Sequence, residues 1–194
     1  MRKVVLSVYV SLDGISDMDQ NDQWTFPYWN DELQAHQQDL INAADALLMG
    51  RKMFQHFSKA WSPRTNEDDP MAGRMNAIPK YVASRSRQTV EGWNATLLDG
   101  DAVDAVTELK RQDGPHLLVY AGGEFVGTLI KADLIDEYHL IIHPVVLGSG
   151  KRLFPDGVER ELKLSNVKPT STGVTVLTLA PAHGAPGQGQ ASPQ

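Results

Sequence analysis

Three short stretches combine glycine, hydroxyl and cationic residues in patterns suited to holding phosphate. Leu48-Met49-Gly50-Arg51-Lys52 runs an apolar strand into a glycine and two cations at a helix start. A glycine lets backbone N–H groups approach a phosphate, and a helix N-terminus favours an anion there. Tyr81-Val82-Ala83-Ser84-Arg85-Ser86-Arg87 ends a strand in hydroxyls and guanidinium groups. Such a cluster can grip the 2′-phosphate that separates NADPH from NADH. Val119-Tyr120-Ala121-Gly122-Gly123-Glu124 again passes from strand through glycines to helix. None of the three is a G-x-G-x-x-G fingerprint or a P-loop. Singly, each is more simply a turn or a solvated helix start; their joint occurrence at three strand ends points to a dinucleotide.

Other residues carry less. Asp13, in the Asp13-Gly14 turn after the first strand, could orient a substrate or relay a proton, and is equally a turn residue. Trp24, Phe26, Tyr28 and Trp29 could wall a flat heterocycle, with Trp24 and Trp29 as its contacts; core or dimer packing is the alternative. His139 and His143 stand four apart on one strand face without further ligands at useful spacing. They read as packed or interface residues, and no metal site is expected. Glu124 suits the first turn of a helix, and Leu109-Lys110-Arg111 reads as a solvated helix end.

The elements that must position these groups follow from periodicity. Val4 to Ser11 predicts a buried strand, and residues 30–44 an amphipathic helix through Leu33, Gln37, Leu40, Ile41 and Ala44. Ala46 to Met49 predicts a strand closed by Gly50, with a helix from Arg51. Ser62 to Met75, with two prolines and many charges, predicts a mobile surface loop. Strands are expected at Lys80–Ala83, Thr96–Leu98, His116–Tyr120 and Glu137–His143, with helices from Ala102 and over Phe125–Ala132. Glu161–Lys168 and Gly173–Ala180 suit a hairpin. The alternation implies a doubly wound, mainly parallel α/β sheet finished by antiparallel strands. One domain is expected over residues 1–180, followed by a Gly/Pro/Gln-rich disordered tail over 181–194.

Bulk composition excludes several classes. The chain of 194 residues has no cysteine, which removes disulfides, thiolate catalysis and cysteine-bound zinc. A net charge of −6 disfavours nucleic acid and anionic membranes as partners. No signal peptide and no apolar run of about 20 residues is evident, so a cytoplasmic location is expected.

Taken in order over residues 3–180, these motifs resemble the dihydrofolate reductase superfamily, and more closely its bacterial branch related to the reductase domain of the riboflavin-biosynthesis protein. Ser11-Leu12-Asp13-Gly14 is similar to that domain's opening, and Leu48-Met49-Gly50-Arg51 to the Met-Gly-Arg cofactor turn. Ser84-Arg85 resembles the 2′-phosphate loop, and Ala121-Gly122-Gly123 the paired-glycine turn, whose Gly-Gly peptide is expected to be cis. Leu134 to Tyr138, His143 to Lys151 and Leu153-Phe154-Pro155 resemble the riboflavin-reductase ending.

The resemblance implies NADPH as cofactor, with Arg51, Ser84, Arg85 and Lys52 near its 2′-phosphate. Gly50 and the segment Gly122, Gly123, Glu124, Phe125, Val126 would cradle the pyrophosphate. It also implies hydride transfer to a C=N or C=O bond of a small heterocycle, a ribosyl-phosphate pyrimidine being the leading candidate, and a homodimer. Trp29 stands where dihydrofolate reductases carry a first-helix carboxylate, Met53 where they carry a pyrophosphate threonine, Gly127 where a tyrosine is usual, and Ile15 where the riboflavin branch has lysine. An NADPH-binding sensor without turnover, a dihydrofolate reductase with an atypical substrate site, and an interaction domain without nucleotide are the rival readings.

Overall fold

The computed structural model describes residues 1–16, 23–85, 90–120 and 122–182. Strand β1 (Val4–Ser11) is buried along almost its whole length because both faces of its sheet are covered. Val4, Leu6, Val8 and Val10 enter one core, and Val5 enters the other. This is why the strand reads as a continuous apolar run rather than an alternating one.

Seven further strands join it: β2 (Ala44–Gly50), β3 (Lys80–Ala83), β4 (Ala95–Leu97), β5 (His116–Tyr120), β6 (Glu137–His143), β7 (Leu162–Pro169) and β8 (Thr175–Pro181). The sheet order is β4-β3-β2-β5-β1-β6-β8-β7. All pairings from β4 to β6 are parallel, while β6–β8 and β7–β8 are antiparallel. The mainly parallel sheet with an antiparallel C-terminal end is as the alternation requires.

Helices α1 (Asp31–Ala43), α2 (Arg51–Trp61) and α3 (Ala72–Ala77) cover one face, and α4 (Ala102–Arg111) and α5 (Glu124–Lys131) the other. Asn30 caps α1 by accepting from the Leu33 N–H, and the helix buries Leu33, Gln37, Leu40 and Ile41 at helical spacing. Asp101 caps α4 in the same way through the Val103 N–H.

Three expectations are corrected. Residues 62–75 are not a bare surface loop: α3 begins inside them, and Met71, Ala72, Met75 and the following Ile78 are buried. Their apolar spacing is helical, masked in the sequence by the flanking charges and prolines. Lys110 does not end a solvated turn; its ammonium donates to the Leu134 carbonyl at 2.9 Å and to Asp136 at 2.5 Å, tying α4 to the start of β6. The Gly122–Gly123 peptide is trans, no cis bond occurring among the described residues. The chain turns instead at Gly123, whose φ of 103° and ψ of −173° only glycine adopts readily. Residues 183–194 of the anticipated tail, with Ser86, Arg87 and Ala121 of the phosphate-type turns, lie outside the described residues.

Candidate active site

The sheet order places the three phosphate-type turns side by side. β3, β2 and β5 are adjacent, and their register sets Gly50 opposite Ala83 and Leu48 opposite Val119. The three chains therefore leave the sheet at nearly one level. Beyond their ends lies a cleft of about 400 Å³ lined by all ten residues that the sequence singles out for a dinucleotide. They are Gly50, Arg51, Lys52, Ser84, Arg85, Gly122, Gly123, Glu124, Phe125 and Val126.

The glycines are required by close approach. A Cβ on Gly50 would lie 3.0 Å from the Cβ of Phe125, and one on Gly122 would lie 2.5 Å from the Ser16 hydroxyl oxygen. Gly123 instead faces open space. Helices α2 and α5 both begin here with glycine N-caps and no side-chain cap hydrogen bond, unlike α1 and α4. A helix start of this kind favours an anion beside it. Among the described residues of the lining, Arg51, Lys52 and Arg85 set three cations against the carboxylates of Asp101 and Glu124. Both acids are engaged: Asp101 caps α4, and Glu124 pairs with Arg85 at 3.4 Å. The balance suits an anion. Met53 also lines the cleft, and a Cβ on Gly127 would press on Pro155 at 3.2 Å, which explains the small residue there.

A second, apolar cavity of about 130 Å³ opens on the α1–α3 face of the sheet. Trp29, Phe57, Trp61 and Tyr120 contribute its aromatic walls. Tyr120, at the end of β5, lines both cavities. Its hydroxyl donates to the Gln37 carbonyl at 3.3 Å, and burial pushes its pKa up. Gln37 is itself buried, accepting from the Ser7 hydroxyl at 3.1 Å and donating to the Tyr9 hydroxyl at 3.2 Å.

Trp29 thus lines the second cavity, and Trp24 belongs to neither lining: its ring meets His143 edge-on at 5.0 Å. Tyr9 and Tyr28 pack on the same imidazole, so the cluster fastens the segment 23–28 to β6. Glu32 accepts from the backbone N–H and hydroxyl of Ser171 and from Asn30, away from both cavities. Ile15 is buried and bridges to Arg152.

Asp13 lines neither cavity. Its carboxylate accepts from the Ser11 hydroxyl at 2.6 Å and from the N–H groups of Leu147 and Gly148 at 3.1 and 2.7 Å. These donors, Ser11 first, hold its pKa down at about 2.

Sequence reasoning missed Tyr120 as a shared wall, and missed Asp69, Met71 and Met75 in the second cavity. The only local signal was the apolar spacing of Met71, Met75 and Ile78 within a segment that otherwise reads as a loop.

This sheet order, with glycine turns at the carboxyl ends of neighbouring parallel strands and an antiparallel closing pair, defines a dihydrofolate-reductase-like fold. The chain belongs to the RibD C-terminal domain family, whose model matches residues 2–176. It is 32% identical over 181 residues to the uncharacterized protein YyaP of Bacillus subtilis, an alignment covering 91% of this chain and 93% of that one. Among solved structures, it resembles a Shewanella sp. PV-4 protein provisionally named for riboflavin biosynthesis. The TM-score is 0.75 at 24% identity, over 93% of this chain and 99% of that one. It also resembles the diaminohydroxyphosphoribosylaminopyrimidine deaminase/5-amino-6-(5-phosphoribosylamino)uracil reductase of Thermotoga maritima. There the TM-score is 0.68 at 16% identity, over 93% of this chain and 57% of the other. At these identities the two structures speak for the fold alone.

Proposed function

We propose that this protein is an NADPH-dependent reductase acting on a small, flat heterocycle. The observation that carries the reading is the convergence of the turns after β2, β3 and β5 on one cleft. The residues fit the cofactor: glycines stand where a Cβ would obstruct the cleft's walls, two helices start without side-chain caps, and cations outnumber carboxylates among the described lining residues. Arg51, Ser84, Arg85 and Lys52 would hold the 2′-phosphate, and backbone N–H groups near Gly50 and over Gly122 to Val126 the pyrophosphate.

NADPH supplies a hydride when bound; the protein supplies position and electrostatics. Tyr120 sits where the cleft meets the apolar cavity, so we assign that cavity to the substrate ring and Trp29 to one of its walls. We assign Asp13 a positioning part rather than proton relay, because its carboxylate is engaged by three donors and stays ionised near neutral pH. Family membership brings a ribosyl-phosphate pyrimidine forward as a candidate substrate. The open edge of β7, with Leu164 and Val167 exposed, supports a homodimer.

Calorimetric titration with NADPH and NADH in parallel tests the reading. The expected result is binding of NADPH with a clear preference over NADH. Failure of both to bind would overturn it, and NADPH binding without turnover of any reducible heterocycle would leave a cofactor-binding protein, which the absence of a carboxylate at Trp29 allows.

A further inference from the structure

The apolar cavity has a composition unsuited to a phosphorylated substrate. Among the described residues no lysine, arginine or histidine lines it, and Asp69 is the one charged residue of that lining. The Arg64 guanidinium is engaged, lying over the Trp61 ring at 5.0 Å and pairing with Asp69 at 3.9 Å. A phosphate held here would lose its hydration to aromatic walls and face a carboxylate, with no cation among the described lining residues to offset either cost.

Size points the same way. A volume of about 130 Å³ is close to the roughly 150 Å³ apolar cavity known to admit one benzene. One ring fills it. The polar groups of Gln37, Ser7 and Tyr9 are bonded to one another, and Asp69 retains acceptor capacity beyond the Met71 N–H that it accepts at 2.8 Å.

We propose, resting on the reading of this cavity as the substrate site, that the substrate is an unphosphorylated single-ring nitrogen heterocycle with an N–H donor directed at Asp69. Asp69 both accepts from the ring and repels a phosphorylated analogue.

The test compares 5,6-diaminouracil with 5-amino-6-(5-phosphoribosylamino)uracil by quenching of tryptophan fluorescence and by calorimetry, on the full chain with and without NADPH. The ring alone is expected to bind at least tenfold more tightly. Asp69→Asn should weaken the ring and narrow that ratio at least threefold, and Trp29→Ala, at a half-exposed site tolerant of change, should weaken the ring while leaving NADPH affinity unaltered. Equal or tighter binding of the phosphoribosyl compound, or binding of neither compound to protein that binds NADPH, would overturn the proposal and leave the cofactor reading standing. Ring preference in protein that fails to bind NADPH would keep the pocket assignment and overturn the reductase reading.

Discussion

Arg51 and Ser84 come from different strand ends and meet at one cleft, so their effects on the cofactor should be shared and specific. A charge-assisted contact to phosphate is worth about 1.5–3 kcal/mol. Arg51→Ala should therefore weaken NADPH binding by roughly 10- to 100-fold, and Ser84→Ala by less, while NADH binding changes little. Unchanged NADPH affinity in both variants would mean that the 2′-phosphate lies elsewhere. Asp13 answers to a different measurement. Its low pKa means that its contribution is present above the ordinary carboxylate range and is lost as pH falls through about 2. Asp13→Asn should lower the melting temperature at neutral pH and leave NADPH affinity intact, because the bonds lost are those to Ser11, Leu147 and Gly148.

Between α1 and β6, the rings of His36 and His139 meet at 5.1 Å, tilted by 45°, and the His36 Nε2 is buried without a partner among the described residues. Burial first, then the charges of His139 and Lys168, lower the His36 pKa to about 4 against an opposing pull from Asp39. The folded state resists protonation more than the unfolded chain. Stability should thus be undiminished above pH 6.5 and fall as pH drops from 6.5 towards 4, by roughly 1–3 kcal/mol. Urea unfolding across this range reads the loss, and His36→Gln should flatten it. At the other junction, Gly123 makes the turn into α5 at positive φ. Gly123→Ala should cost about 1–3 kcal/mol of stability and weaken NADPH together, since the same backbone forms the cleft's wall; an unaffected affinity would detach that turn from the cofactor.

Across the whole molecule, the sheet is covered on both faces from β3 to β6, but its last strand is not. β7 is exposed from Lys163 to Pro169 and ends the sheet. An uncovered apolar edge is a pairing template. If the homodimer forms there, Leu164→Lys with Val167→Lys should shift the protein to monomer in sedimentation equilibrium, and a dimer that survives the double change must use another surface.

Much of this architecture was legible in the residues themselves. Helical spacing from Leu33 to Ile41, apolar runs at Val4–Ser11 and His116–Tyr120, and glycines after strands are local signals, written by side-chain periodicity and backbone freedom. The larger cleft was legible for the same reason, since each of its walls is a single contiguous turn. The second cavity was not. Tyr120, Trp29 and Asp69 are far apart in the chain and become neighbours only through the crossover order of the sheet and the docking of α3 against it. Likewise, nothing local distinguishes a carboxylate that tethers a loop, as Asp13 does, from one that faces a cavity, as Asp69 does; that depends on which distant N–H groups arrive first. Sequence alone determined the elements and the phosphate-type turns, because these depend on contacts within a few residues. Tertiary structure decided which aromatic and which acid share a pocket, because long-range packing brings them together.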